Sequence, residues 1–190
     1  NGAPVSIPNI ITFGRILAVP LAVYLILSGE LGWSFWLFVA AGISDAVDGA
    51  IARMFSSRTV LGAYLDPIAD KALLVSVYVA LGHVGELPLW LVILVVFRDI
   101  MIVGAFMLAY ALREPLAMQP LSISKLNTAV QIALAAAVLA PAGLDVPEFL
   151  VGGYPLVTVL VYTVAATTVL SGVGYLGRGR SLFDRHGGVS

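Results

Sequence analysis

The chain has 190 residues, of which 60% are hydrophobic and only 11% are charged. A soluble domain carries roughly 25% charged residues, so this composition excludes an ordinary soluble protein and indicates one embedded in a membrane. No cysteine is present, which excludes disulfides, thiolate metal sites and a thiol nucleophile. The net charge of −1 gives no reason to expect a nucleic-acid partner.

Six apolar stretches follow one another along the chain, separated by glycine, proline and charged residues. A helix needs about 20 apolar residues to cross the hydrocarbon core of a bilayer. The sequence therefore predicts an all-α integral membrane protein, a six-transmembrane-helix bundle that forms a single domain over residues 1–190. We place the predicted spans near residues 9–29, 31–54, 60–82, 88–112, 122–141 and 150–176.

Outside the predicted spans, acidic and basic residues fall in loops on opposite sides of the membrane. If the N-terminus is inside, the outer loops contain only acidic residues, namely Glu30, Glu86, Asp145 and Glu148. The inner side then receives basic residues, namely Arg58, Arg113, Arg178, Arg180 and Arg185. This asymmetry follows the positive-inside rule. Since the composition is rich in Ala, Val and Gly and the start resembles neither a signal peptide nor an organellar presequence, we expect a bacterial inner membrane.

Several charges fall inside the predicted spans instead of between them. Even on a lenient scale, each charge at the centre of a bilayer costs about 2.5–3.5 kcal/mol, so such residues face an internal cavity and usually mark function. They are Asp45, Asp48, Asp66, Asp70, Lys71, Arg98 and Asp99.

The four aspartates in the second and third spans have helical spacing. Asp45 and Asp48 stand at i and i+3, and Asp66 and Asp70 stand at i and i+4, so each pair shares one helix face. The connection at 55–59 is short, and we expect the two helices to pack antiparallel. The four carboxylates would then converge in a polar cavity open to the cytoplasmic side.

Carboxylate oxygens favour hard cations such as Mg²⁺ or Mn²⁺. On spacing alone, a proton relay or the ion path of a transporter remains an alternative. We expect the neighbouring residues Arg98 and Asp99 to point in different directions and to need separate partners, either another helix or a substrate. An aromatic belt at the outer interface accounts for Trp33, Trp36 and Trp90.

The acidic residues belong to a longer pattern. Residues 45–70 read DAVDGAIARMFSSRTVLGAYLDPIAD, which is D-x2-D-G-x2-A-R-x8-G-x3-D-x3-D, with eight fixed positions in 26 residues. This resembles the signature of the CDP-alcohol phosphatidyltransferases without a departure. The resemblance implies that Asp45, Asp48, Asp66 and Asp70 bind one or two metal ions and that Asp70 is also the general base. It further implies a CDP site formed by Asp48, Gly49, Ala52, Arg53, Gly62 and Asp66.

Other stretches of the sequence narrow the choice of acceptor alcohol. IPNIITFGRI at 7–16, LDPIADKALL at 65–74, FRDIMIV at 97–103 and SISKLNTAVQIAL at 122–134 together resemble the CMP-forming cardiolipin synthases of that family. The related phosphatidylglycerolphosphate synthases usually have Gly in place of Ser124 and a basic residue in place of Asn127. The similarity covers about residues 7–140.

This resemblance implies phosphatidyl transfer from CDP-diacylglycerol to phosphatidylglycerol, which gives cardiolipin and CMP. The alternative is a phosphatidylglycerolphosphate synthase with glycerol 3-phosphate as acceptor. The resemblance also implies a homodimer. Basic and hydroxyl groups in or near the spans are candidates for the phosphate of the acceptor lipid: Arg15, Lys71, Arg98, Ser124 and Lys125.

Overall fold

The computed structural model of the chain describes residues 7–55, 60–111 and 122–186, with side chains described at 14, 16–44, 47, 71–104 and 122–174. The described part is almost entirely helical. Its elements are, in order, α1 (Ile7–Leu27), α2 (Leu31–Phe55), α3 (Val60–His83), α4 (Leu89–Ala111), α5 (Ser122–Leu144), the short strands β1 (Leu150–Val151) and β2 (Tyr154–Pro155), and α6 (Leu156–His186).

Each of the six predicted spans overlaps one of these helices, so the helical fold class and the order of helices are confirmed. Two helices within the described residues are long and apolar enough to cross a membrane, namely Ser122–Leu144 and Leu156–Gly174. Shorter apolar segments occur in the first three helices, at Ile16–Leu27, Leu31–Ser44 and Lys71–His83. That all six helices cross the membrane stays a prediction.

The start of the last predicted span is wrong. Residues 150–155 form a hairpin in which Leu150 pairs with Pro155 and Val151 with Tyr154, and α6 begins only at Leu156. Gly152 and Gly153 form its turn with φ of 59° and 84°, the backbone that a two-residue hairpin requires. The Gly-Gly pair was the signal for this turn, but the apolar run around it favoured a longer span. At its other end α6 continues past the predicted limit of 176 to His186.

Backbone hydrogen bonds explain where α1 ends. Glu30 N–H donates to the Leu25 carbonyl at 2.8 Å and Gly29 N–H to the Ile26 carbonyl at 3.1 Å, with Gly29 at φ 78°. This is a Schellman motif, which satisfies carbonyls that the last turn would otherwise leave unpaired. The Glu30 carbonyl then accepts from Ser34 N–H at 3.0 Å, so the chain enters α2 directly.

The chain forms two compact units, and α5 contributes to both. The first comprises residues 1–88 and 135–148, and in it α1 packs on both α2 and α3. Its core includes Ile26 of α1 and Val77, Tyr78 and Leu81 of α3, each fully buried. The second comprises residues 89–134 and 149–190, where α4 packs on α6 around Leu91, Val95 and Val164.

Large apolar side chains cover the outside of the helices. On α4 they recur every three or four residues and form one stripe with exposed fractions of 52–64%, at Leu89, Ile93, Phe97, Ile100 and Val103. Soluble monomers rarely expose contiguous apolar patches of this kind. The stripe is what a helix surrounded by lipid requires, and it supports the membrane location indicated by the composition.

Two glycines allow close packing between the start of α2 and the end of α5. A Cβ atom at Gly32 would lie 2.9 Å from the Ala142 carbonyl oxygen, and one at Gly143 would overlap the ring of Phe35. Trp36 donates its indole N–H to the Gly143 carbonyl at 3.0 Å. Close backbone approach at small residues is a common way for helices to associate in membranes.

Gly143→Ala is expected to destabilise the protein, because the added methyl group forces Phe35 out of its position. Overpacking of this kind costs about 1–3 kcal/mol. Thermal unfolding in detergent would show a lower midpoint for Gly143→Ala than for the matched control Gly42→Ala, where no atom lies within 4 Å of the new methyl group. Equal midpoints for the two variants would contradict the packing described here.

Candidate functional site

The acidic motif lies on two successive helices. The backbone of Asp45, Asp48, Gly49, Ala52 and Arg53 lies in α2, and that of Gly62, Asp66 and Asp70 lies in α3. The helical backbone on which the spacing argument depends is therefore present at all of these positions. The side chains of the motif and the connection at 56–59 lie outside the described residues, so the convergence of the carboxylates stays a prediction. Among the side chains that the structure describes, no group of three or more His, Asp or Glu residues offers another metal site.

Arg98 and Asp99 contradict the prediction that they need separate partners. Arg98 Nη1 donates to Asp99 Oδ1 at 2.7 Å, and the two side chains are only 4% and 7% exposed. Neighbouring residues of a helix point in different directions only at their Cβ atoms, and the rest of a long side chain can bend. The long arginine side chain curls back to its neighbour, because a buried guanidinium is strongly destabilising unless it is paired.

The guanidinium of Arg98 also joins three helices. Its Nη2 donates to Ser124 Oγ on α5 and to Ser171 Oγ on α6, both at 2.6 Å. Arg98 continues the buried face of α4 that begins at Leu91 and Val95, so it points toward helices instead of lipid. Of the predicted acceptor residues, Arg98 and Ser124 are therefore in direct contact.

A second layer of hydrogen bonds lies one helical turn away. Asn127 Oδ1 accepts from the hydroxyls of Thr167 at 2.8 Å and Thr168 at 2.9 Å. The Thr167 hydroxyl has a single proton and also reaches the Thr163 carbonyl at 2.9 Å, so Thr168 is the firmer partner. We refer to Ser124 and Asn127 on α5 together with Thr167, Thr168 and Ser171 on α6 as the polar seam.

The α5 side of this seam comes from the stretch that resembles the cardiolipin synthases. Ser124, Asn127 and Gln131 stand at i, i+3 and i+7 and share one face; Asn127 and Gln131 have no exposed surface. Ser124 and Asn127, which distinguish this stretch in sequence, thus bind neighbouring helices in the structure.

Sequence reasoning missed the α6 side of the seam. Thr167, Thr168 and Ser171 lie in a run without charges, and the absence of charge hid the fact that its hydroxyl groups share one face. A signal was present in the sequence, since hydroxyl residues three or four apart in an apolar helix indicate an interhelical contact.

The other predicted acceptor residues differ in exposure. Lys71 is half-buried on α3, and Lys125 is exposed beside Ser124 on α5. The side chain of Arg15 lies outside the described residues. Trp33, Trp36 and Trp90 are 69%, 52% and 49% exposed, which is compatible with the predicted aromatic belt.

Comparison with known proteins supports the family that the acidic motif resembles. The sequence profile of the CDP-alcohol phosphatidyltransferase family matches residues 5–170. The chain is 34% identical to the cardiolipin synthase (CMP-forming) of Homo sapiens, over 93% of this chain and 62% of that protein. The Rattus norvegicus cardiolipin synthase (CMP-forming) gives the same identity and the same coverage.

Another relative is named for a different acceptor. The chain is also 34% identical to the CDP-diacylglycerol–glycerol-3-phosphate 3-phosphatidyltransferase 1, chloroplastic, of Oryza sativa subsp. japonica, over 90% of this chain and 56% of that protein. The chain thus spans 56–62% of the length of these relatives. Because the profile covers most of the chain and includes the whole acidic motif, the chain belongs to the CDP-alcohol phosphatidyltransferase family.

Proposed function

We propose that this chain transfers a phosphatidyl group from CDP-diacylglycerol to phosphatidylglycerol, which yields cardiolipin and CMP. The observation that carries the proposal is the complete eight-position motif on the successive helices α2 and α3. Similarity to cardiolipin synthases over most of the chain supports the choice of acceptor.

Asp45, Asp48, Asp66 and Asp70 are the proposed ligands of one or two Mg²⁺ or Mn²⁺ ions. The donor set fits, because all four groups are carboxylates and hard divalent cations prefer oxygen ligands. The family generally uses divalent metal ions. When bound, the cation would neutralise charge on the diphosphate of the donor lipid. Uncompensated, the four carboxylates would oppose insertion of α2 and α3 into the membrane.

The remaining motif residues would bind the nucleotide. Gly49, Ala52 and Gly62 have small or absent side chains, which leaves room for the cytidine and its diphosphate. Arg53 is proposed to bind the diphosphate, since a guanidinium can donate two parallel hydrogen bonds to phosphate oxygens.

Asp70 is the proposed general base. The free glycerol hydroxyl of the acceptor attacks the phosphorus that carries diacylglycerol, the bond from this phosphorus to CMP breaks, and the hydroxyl proton passes to the Asp70 carboxylate. An alcohol has a high pKa, so a carboxylate within hydrogen-bond reach must take the proton as the new bond forms. CMP leaves with the electron pair of the broken bond.

The phosphodiester of phosphatidylglycerol is anionic and needs donors. Arg98 and Ser124 already contact each other at 2.6 Å, which makes them the best supported of the proposed acceptor residues. Arg15, Lys71 and Lys125 are the other proposed contributors. We further propose that six helices cross a bacterial inner membrane, that the active site faces the cytoplasm, and that the chain forms a homodimer.

A second candidate function is phosphatidylglycerolphosphate synthesis, with glycerol 3-phosphate as acceptor. The similarity to the rice phosphatidyltransferase favours it. Asn127 argues against it. A doubly charged phosphate monoester would favour a cation at this position, but Asn127 is an amide that is fully buried and bonded to threonines.

The acceptor assay separates these functions. Purified protein is incubated with CDP-diacylglycerol, Mg²⁺ or Mn²⁺, and either phosphatidylglycerol or glycerol 3-phosphate, and CMP release is measured. We expect release with phosphatidylglycerol and at least tenfold less with glycerol 3-phosphate, about 1.4 kcal/mol of discrimination. The reverse preference would replace the proposed acceptor, and a transporter would release no CMP with either.

Two substitutions distinguish proton abstraction by Asp70 from binding of the metal and the nucleotide. Asp70→Asn is expected to lower turnover by about 10²–10⁴-fold, the usual contribution of a general base, while binding of a soluble CDP compound stays measurable. Asp48→Ala is expected to abolish binding of both Mn²⁺ and the CDP compound in calorimetry. Undiminished turnover in the first variant, or intact affinities in the second, would refute the role assigned to that residue.

A further inference from the structure

Arg98 is held from three sides. Nη1 contacts Asp99 on its own helix, and Nη2 contacts Ser124 on α5 and Ser171 on α6. Nη2 carries two hydrogens, so both are engaged by the two serines. A change of rotamer at Arg98 would break contacts with two other helices at once. Thus α6, which carries none of the motif residues, helps to fix the position of this cation.

The fixed guanidinium of Arg98 still has N–H groups that these contacts do not use. The three contacts use three of its five N–H groups. Its Nε atom is buried and has no hydrogen-bond partner among the residues that the structure describes. Burying a donor without an acceptor costs about 1–3 kcal/mol, and more for a charged group. Water, an ion or a ligand can supply the missing acceptor, and an anionic oxygen satisfies a cationic donor best.

The polar seam keeps this arrangement rigid. Asn127 and Thr168 join α5 to α6 one turn from the contacts of Ser124 and Ser171, so the two serines cannot separate without breaking a second set of bonds. All of these residues are buried or half-buried. Arg98 is therefore preorganised, which lowers the cost of ordering it when a ligand binds.

We propose that Ser171 and Asp99 are positioning residues, which hold Arg98 so that its remaining N–H groups meet the phosphate oxygens of the acceptor. The proposal rests on the proposed function and adds to it an α6 residue outside the family motif. Ser171 is the better probe of the two, because removing its hydroxyl leaves the ion pair between Arg98 and Asp99 intact.

The test uses the full chain and the variants Ser171→Ala, Ser171→Cys and Ser171→Thr. The matched control is Thr163→Val, which removes an exposed hydroxyl that bonds the Val159 carbonyl of its own helix at 2.8 Å. The KM values for phosphatidylglycerol and for CDP-diacylglycerol, together with kcat, are measured from CMP release. A thermal midpoint accompanies each variant.

We expect Ser171→Ala to raise the KM for phosphatidylglycerol about three- to tenfold, the effect of one hydrogen bond to a preorganised cation. The KM for CDP-diacylglycerol stays within about twofold, which is the scatter expected of a site that the change does not touch. Ser171→Thr restores the wild-type value, Ser171→Cys lies between, and Thr163→Val behaves as wild type. Ser171→Cys keeps a weak acceptor at the γ position and so replaces Ser171→Ala if the alanine variant does not fold.

Three results would overturn the proposal. They are an unchanged KM for phosphatidylglycerol in Ser171→Ala, an equal rise in both KM values, and a Ser171→Thr variant as impaired as Ser171→Ala. Each leaves the proposed function standing, since the wild type is active in all three. A wild type that releases no CMP with phosphatidylglycerol or glycerol 3-phosphate would instead refute the proposed function and this proposal with it.

Discussion

A charged side chain in an apolar helix must have a compensating partner, and the structure is organised around that constraint. Arg98 lies near the middle of α4, and in the proposed six-span arrangement an isolated charge there would cost about 2.5–3.5 kcal/mol or more. Asp99 supplies the opposite charge at 2.7 Å, and two serines supply oxygens at 2.6 Å. Breaking such a buried pair by removing one partner typically costs 3–5 kcal/mol. The ion pair thus explains why α4, α5 and α6 carry polar groups on the faces turned to one another.

The same need for a compensating partner applies to the aspartates of the acidic motif. Asp45, Asp48, Asp66 and Asp70 lie in α2 and α3, which are mostly apolar but also contain Arg53 and Lys71. The described part of Arg98's environment shows that this chain compensates a charge with specific partners, at short distances. For four carboxylates of one sign, a divalent cation is the partner that needs the fewest additional residues. Membership in the CDP-alcohol phosphatidyltransferase family is consistent with that solution.

The fold was largely predictable because apolar runs with glycine and charge between them mark helices directly. All six helices begin within a few residues of the predicted limits except α6, where the hairpin at Gly152 and Gly153 occupies the first six residues of the predicted span. Periodicity within an apolar run does not distinguish a short strand from a helix, and only the Gly-Gly pair could have done so.

Prediction of the site was less complete, for a different reason. The motif assigned residues by type and spacing, and Arg98 and Ser124 were suggested separately, as basic and hydroxyl groups in or near the predicted spans. The contact between Arg98 and Asp99 depends on how a flexible side chain bends, which spacing on a helix does not determine. Thr168 and Ser171 were missed because hydroxyl groups barely alter the hydropathy of a span, although they provide the oxygens that the guanidinium and Asn127 require.

The most direct test of this account is an experimental structure of the protein with Mn²⁺ and a soluble CDP compound, with the metal located by anomalous scattering. The account predicts a metal peak between α2 and α3, coordinated at roughly 2.0–2.2 Å by carboxylate oxygens of the motif. A structure in which these carboxylates point away from one another and no metal lies between the two helices would contradict it.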